Sequence, residues 1–356
     1  MKTRSFLQFV GPSVALMLGL MALPLIITFY LSVRNCTLQM EVVTETQSGP
    51  FGTQEVVTQR AKTGSDGRAL QSCSFVGLDY FRKVLGVYGG GSSAASEAPP
   101  AEADTGGTVA GTAAASTQKS QDAKDSKGKN EFWGALRFTL LYVLATTPFI
   151  LGIGFALALA VNHASPKIKG FVIAASLLPF IITPVVGALS IKWLFRDNGL
   201  IPYLLSFVGV KVFWMAQAWS AQLLIIVYGI WHVMPFAFIV LYAGLQSVPQ
   251  DSLEAATIDG ASRWQKLRYV TLPHLMPLII FVLLIHVMDA YRVFEPVLVL
   301  TQGAFTTSVQ YLTYSILLQE NNPFKASAAS VLTIFGIVVL LIPLLRKTWR
   351  EQRRGF

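Results

Sequence analysis

Six stretches of this chain are long and apolar enough to cross a bilayer, and nothing else in the sequence restricts its fold so strongly. They lie at residues 9–33, 136–161, 171–195, 218–245, 276–300 and 326–345. About 20 apolar residues in a helix span a hydrocarbon core roughly 30 Å thick. Composition agrees: 53% of the residues are hydrophobic and 13% are charged, against about 25% charged in a soluble domain. The fold class expected is all-α and integral to the membrane, with about six transmembrane helices.

The net charge of +9 would raise the question of nucleic acid in a soluble protein. Here the cations flank apolar runs, where lysine and arginine set orientation, and no basic-aromatic nucleic-acid motif accompanies them. Lys2 and Arg4 precede the first run, and His163, Lys167 and Lys169 separate the second from the third. The tail RKTWREQRRGF sets five cations against Glu351. Both termini are therefore expected in the cytoplasm. The first run lacks a clear small-residue cleavage site and reads as a retained anchor.

Four regions follow. Residues 1–33 form the cytoplasmic end and first span, and 34–130 an extracytoplasmic loop. Residues 131–345 form the membrane core, with a cytoplasmic loop at 246–275, and 346–356 are a basic tail. Within the long loop the tract 86–130 is Gly, Ala, Ser, Thr and charge with little to bury, so disorder is expected. SFVGLDYFRKVL, residues 74–85, has helical spacing. Cys36 and Cys73 share this loop; an oxidising outer compartment permits a disulfide, and two unpaired thiols are the other reading. Lys192 and Arg196, ending the third run, are expected to snorkel to outer headgroups.

No catalytic constellation is evident. The phosphate-cradling Gly-x-x-x-x-Gly-Lys-Ser/Thr frame is missing, as are Gly-x-Ser-x-Gly and His-Glu-x-x-His. His163, His232, His274 and His286 are expected as hydrogen-bonded packing residues, with no metal. The chain is not expected to be an enzyme or to bind a cofactor itself.

Between the fourth and fifth runs lies SVPQDSLEAATIDGASRWQKLRYVTLPHLMP. Pro249 followed by Asp251 or Ser252 reads as a helix start with a side-chain cap. LEAATI is strongly helical, and Gly260 permits a turn that a side chain obstructs. SRWQKLRYV offers a second short helix with Trp264, Leu267 and Val270 on one face. Pro273 and Pro277 should end it. Two short helices at an angle make a docking knob, not a chelating or nucleophilic site.

Glu254-Ala255-Ala256, then Gly260, then Val270 before Leu272-Pro273, resembles the EAA loop of bacterial ABC-importer permeases. FVGLDYFRKVL, FWGALRFTLLYV and LPFIITPVVGALSIKWLFRDNGLIPYLL resemble the maltose-type carbohydrate permeases, first-permease subclass. The resemblance covers most of the chain outside 86–130. It departs at Phe138, where an asparagine is usual, at LTQGAF (300–305), and in the long outer insertion.

The resemblance implies a type I ABC importer permease of the bacterial inner membrane, moving a carbohydrate or related polyol inward. Its partners would be a second homologous permease, two ATPase subunits carrying ATP and Mg, an extracytoplasmic solute-binding protein and membrane lipid. Coupling to the ATPases is implied for Glu254, Ala255, Ala256, Asp259, Gly260, Arg263, Leu272 and Pro273. Charged contacts around the ATPase groove are expected from Glu254, Arg263, Lys266 and Arg268. A permease for a polyamine, phosphate or other anion shares such a loop, and a membrane sensor or scaffold is the remaining class.

The fifth run, LLIHVMDAYRVFEPVLVL, is charged at its centre. His286, Asp289, Arg292 and Glu295 recur every third residue, close enough on a helix for Asp289–Arg292 and Arg292–Glu295 to pair. A charge facing lipid at mid-bilayer costs about 2.5–3.5 kcal/mol or more, so these residues should face water or a partner. In one reading Asp289, Tyr291, Arg292 and Glu295, with Trp231 and His232, line a solute path. In the other the charges form a structural network or bond the second permease.

Overall fold

The computed structural model describes residues 3–38, 40–49, 52–63, 70–87, 110–207, 209 and 212–353. They divide into two compact units, Met1–Lys129 with Ile316–Leu332 and Asn130–Ser315 with Thr333–Phe356.

The first unit opens with α1, Thr3–Ser32, whose apolar part Val10–Ser32 has the length of a span. Four strands follow: β1 (Arg34–Leu38), β2 (Met40–Gly49), β3 (Gly52–Ala61) and β4 (Gln71–Phe75). β1 pairs antiparallel with β4, and β2 with β3. The strands depart from a wholly helical chain because Val42–Thr44 and Val56–Thr58 are β-branched runs that favour a pleated backbone. The β1–β4 register sets Cys36 opposite Cys73, and the two are joined as a disulfide. α2 is shorter than the helical spacing suggests, Asp79–Leu85, and Gly86 ends it in the left-handed region at φ +68°. Tyr80 stacks on Phe324 with centroids 6.2 Å apart, and burial pushes its phenol above the ordinary range.

α3 runs Ala110–Asn162, its apolar part Glu131–Asn162. The structureless tract expected over 86–130 falls partly on 88–109, outside the described residues, and partly on this helix. Residues 110–130 include five Ala and four Lys, good helix formers, and a span already nucleated propagates into them.

The second unit continues with α4 (Pro166–Ile181), α5 (Pro184–Phe195), α6 (Leu200–Ser206) and α7 (Ala218–Gln246). α8 (Gln250–Ile258), α9 (Arg263–Lys266) and a π-helical turn Leu267–Thr271 lead into α10 (Leu272–Tyr291). A second π-helical turn, Val297–Thr301, precedes α11 (Val309–Leu318) and α12 (Pro323–Arg353). Five helices have the length and apolarity of spans, and the α4 to α6 segment is a sixth if its bent halves count as one.

Two spans differ from the sequence expectation. The third is not continuous: it bends by 95° between Ile181 and Pro184, because a proline drives the residue before it, Thr183, into the extended region. The fifth starts earlier and stops sooner, at Arg263–Tyr291 rather than 276–300. Pro273 and Pro277 do not end a helix there. Pro273 sits in the first turn of α10, where its missing N–H costs little, and the π turn before it keeps the backbone helical.

The bundle core gathers Tyr142, Leu224, Ile225, Tyr228, Tyr291 and Val297, and Phe138 is buried with them. A second cluster holds Ala158, Phe238, Leu241 and Leu275. Tyrosines seat on glycine notches between helices: a Cβ at Gly229 would overlap Tyr142, and one at Gly336 would overlap Tyr291. Small residues at such points let spans approach closely where lipid supplies no hydrophobic drive.

Candidate functional site

Two places have the character of a site, the knob between α7 and α10 and a polar cavity inside the bundle. The knob is built by local chemistry. α8 ends in a Schellman motif: Gly260 stands at φ +74° and donates to Thr257 O (3.0 Å), while Ala261 donates to Ala256 O (2.9 Å). Immediately after, Ser262 opens α9 with a capping box. Its Oγ accepts from Gln265 N (3.3 Å), and Gln265 Oε1 accepts from Ser262 N (2.7 Å). A helix stop and a helix start thus share four residues, Asp259 to Ser262. The side-chain cap expected at Asp251 or Ser252 is not formed; Pro249 is the N-cap, its fixed ring geometry starting α8 without a side-chain acceptor.

Glu254, Ala255, Asp259, Gly260 and Arg263 are exposed on this knob and Ala256 is half-buried, while Leu272 and Pro273 begin α10. Lys266 donates to Thr257 Oγ1 at 2.7 Å, bracing α9 against α8. Trp264 does not share a face with Leu267 and Val270: it is 67% exposed and they are half-buried. The π turn after Lys266 shifts the register on which that face depends. Ile258 at 86% and Tyr269 at 71% are more exposed still. No local pattern marks either residue, since only the fold shows that they are left uncovered.

The cavity, about 130 Å³, lies between α3, α5, α7, α10 and the turn after α10. His232, His286, Asp289, Arg292 and Glu295 line it, with Tyr142 and Tyr228. Two residues assigned to a path from sequence are elsewhere. Tyr291 is buried in the core beside Gly336, and Trp231 is exposed and absent from the cavity lining. The pairing expected along one helix face is not made: within 4.0 Å no ion pair joins Asp289, Arg292 and Glu295 among the described residues. α10 ends at Tyr291, so the three-residue spacing stops describing neighbours there.

His286 illustrates how the cavity is wired. Thr146 Oγ1 donates its one hydrogen to Tyr142 O (2.8 Å), so at 3.1 Å it accepts from His286 Nε2. Nδ1 is then a buried acceptor without a protein partner. No cluster of three or more metal-ligating side chains occurs among the described residues. Lys192, expected at the headgroups, instead donates to Val299 O at 2.7 Å, securing the π turn 297–301. Arg196 lies over the Trp193 ring, 5.4 Å from its centroid. The LTQGAF departure forms a tight turn with Gln302, Gly303 and Phe305 all at positive φ, held by Tyr311 Oη donating to Gln302 O at 2.6 Å.

Comparison with known proteins gives four findings. The family model described as "Binding-protein-dependent transport system inner membrane component" matches residues 127–354. The chain is 33% identical over 229 residues to the "Probable ABC transporter permease protein YesP" of Bacillus subtilis (strain 168), covering 60% of this chain and 72% of that one. It is 37% identical over 213 residues to the "Trehalose transport system permease protein SugA" of Mycobacterium tuberculosis (strain ATCC 25618 / H37Rv), covering 59% and 67%. Among solved structures it resembles a chain of "a bacterial ABC transporter involved in the import of the acidic polysaccharide alginate", with a TM-score of 0.56 at 26% identity, over 62% of this chain and 79% of that one.

Proposed function

The chain belongs to the family of binding-protein-dependent transport system inner membrane components, and from this premise we propose that it is the permease that carries a carbohydrate or related polyol inward. It lies in the inner membrane with both termini in the cytoplasm. It works with a second homologous permease, two ATPase subunits that bind ATP and Mg, and an extracytoplasmic solute-binding protein. The trehalose and alginate relatives support the carbohydrate cargo.

The observation that carries the reading is the knob. Its chain reversal is pinned by backbone and side-chain hydrogen bonds, and it leaves Ile258, Trp264 and Tyr269 uncovered beside charged groups. A rigid element with an uncovered apolar surface suits a partner that pulls on it. Closure of the ATPases on ATP draws the knobs of the two permeases together and opens the spans outward. Solute then enters from the binding protein, and hydrolysis resets the pair inward.

In the bundle, Asp289 and Glu295 accept from sugar hydroxyls while Arg292 donates. Reconstitution tests this directly. ATP hydrolysis by the purified complex should rise with a binding protein loaded with trehalose or another oligosaccharide. Stimulation only by polyamine- or phosphate-loaded binding proteins would move the cargo class, and failure to crosslink residue 260 to an ATPase would remove the coupling role.

A further inference from the structure

The bend in the third span is held from one neighbouring helix. Ile182 and Thr183 are extended, so the amide of Thr183 is not returned to Pro179 as a continuing helix would return it. In a bilayer the freed Pro179 carbonyl needs another donor. His232 on α7 supplies one: its Nδ1 lies 2.8 Å from Pro179 O. A carbonyl only accepts, so Nδ1 carries the hydrogen and the neutral ring keeps a lone pair at Nε2. One turn earlier on α7, Tyr228 donates its hydroxyl to Pro184 O at 2.7 Å, on the other side of the break.

The two rings stack, with centroids 5.6 Å apart and planes 8° from parallel. Tyr228 fits because Gly187 has no side chain; a Cβ there would lie 2.9 Å from its hydroxyl. One stacked pair therefore holds a carbonyl on each side of a 95° bend. Both rings and Pro184 also line the cavity that contains Asp289 and Glu295.

We propose that Tyr228 and His232 are positioning residues that latch the broken third span at one angle and so set the wall of the solute cavity. The inference rests on the reading of that cavity as part of the translocation path. Losing His232 leaves the Pro179 carbonyl without a donor, and losing Tyr228 removes the tie to Pro184 O at the start of α5; either change lets α5 swing on the Ile182–Thr183 joint.

The test uses the full complex in lipid nanodiscs. Spin labels at Ile168→Cys on α4 and Leu189→Cys on α5 report the distance across the break by pulsed electron spin resonance. Cys36 and Cys73 are bonded and take no label. A single narrow distance is expected with Tyr228 and His232 present. Tyr228→Phe and His232→Ala should each enlarge the off-angle population about fivefold, the weight of one hydrogen bond. His232→Gln, which keeps an N–H donor, should recover most of the narrow distribution.

An unchanged distribution in Tyr228→Phe/His232→Ala overturns the latch. Should that double variant not assemble, Tyr228→Phe alone decides, since it keeps the ring and its packing. The pathway reading is judged separately by uptake of radiolabelled trehalose in Asp289→Asn. Undiminished uptake there counts against the pathway, while the latch still stands or falls on the distances.

Discussion

Gly260 in the knob and Gly229 in the bundle are needed for opposite reasons. A Cβ at Gly260 would meet nothing within 4 Å, but its φ of +74° is one that a side chain disfavours. Gly229 has no such backbone demand; a Cβ there would overlap the hydroxyl of Tyr142, on another span. The first is constrained by its own chain and the second by a distant one. The same contrast separates the regions around them. Hydrogen bonds that shape the knob join residues no more than nine apart in sequence, whereas the cavity is assembled from helices far apart in sequence.

Substitutions can break this comparison, and the largest effect belongs to the bundle. Gly229→Leu should abolish a monodisperse complex after detergent extraction. Gly229→Ala should cost about 1–3 kcal/mol through overpacking, read as a lowered melting temperature. Tyr142→Phe should restore part of it, because the hydroxyl is the first atom the new Cβ meets. An unshifted melting curve in Gly229→Ala would show that the notch is slack.

Cys36→Ser should act next, and only on the first unit. The disulfide joins residues separated by 37 positions, a closure worth about 3–4 kcal/mol by chain entropy. Limited proteolysis should cut the β1–β4 region faster in the variant, with the melting of the bundle unchanged.

Gly260→Val should cost about 1–2 kcal/mol locally, the penalty for a left-handed side-chain residue. Its functional effect is larger than its stability effect: ATP hydrolysis should persist while uptake falls. Normal uptake would sink the idea that the bend transmits force. Ser262→Ala is the smallest, about 1 kcal/mol for a lost cap. Amide hydrogen exchange should quicken over Arg263–Lys266 and nowhere in α7.

Legibility in the sequence follows the same division. The helical segment of α8 and the turn at Gly260 could be read because capping and left-handed turns are decided by adjacent residues. The cap at Ser262 is equally local, its signature being Ser262 followed three residues later by Gln265. At the cavity, His286 and the charges of Asp289, Arg292 and Glu295 are visible as costly intruders in an apolar run. Their supposed pairing was not made, because the helix that would align them stops at Tyr291. Tyr142 and Tyr228 carried no local signal at all. An aromatic in a span looks the same whether it faces lipid, core or water.

The sequence by itself determined the membrane-spanning helical class, the family and the knob, since hydropathy, capping and turn chemistry act over a few residues. Tertiary structure alone decided that His232 meets the Pro179 carbonyl freed at the third span's bend and that Tyr228 ties Pro184 O beyond it. It also decided which charges share a cavity and that Tyr291 is enclosed in the core. Those outcomes depend on which glycine notch receives which ring, and that is settled only when separate spans pack.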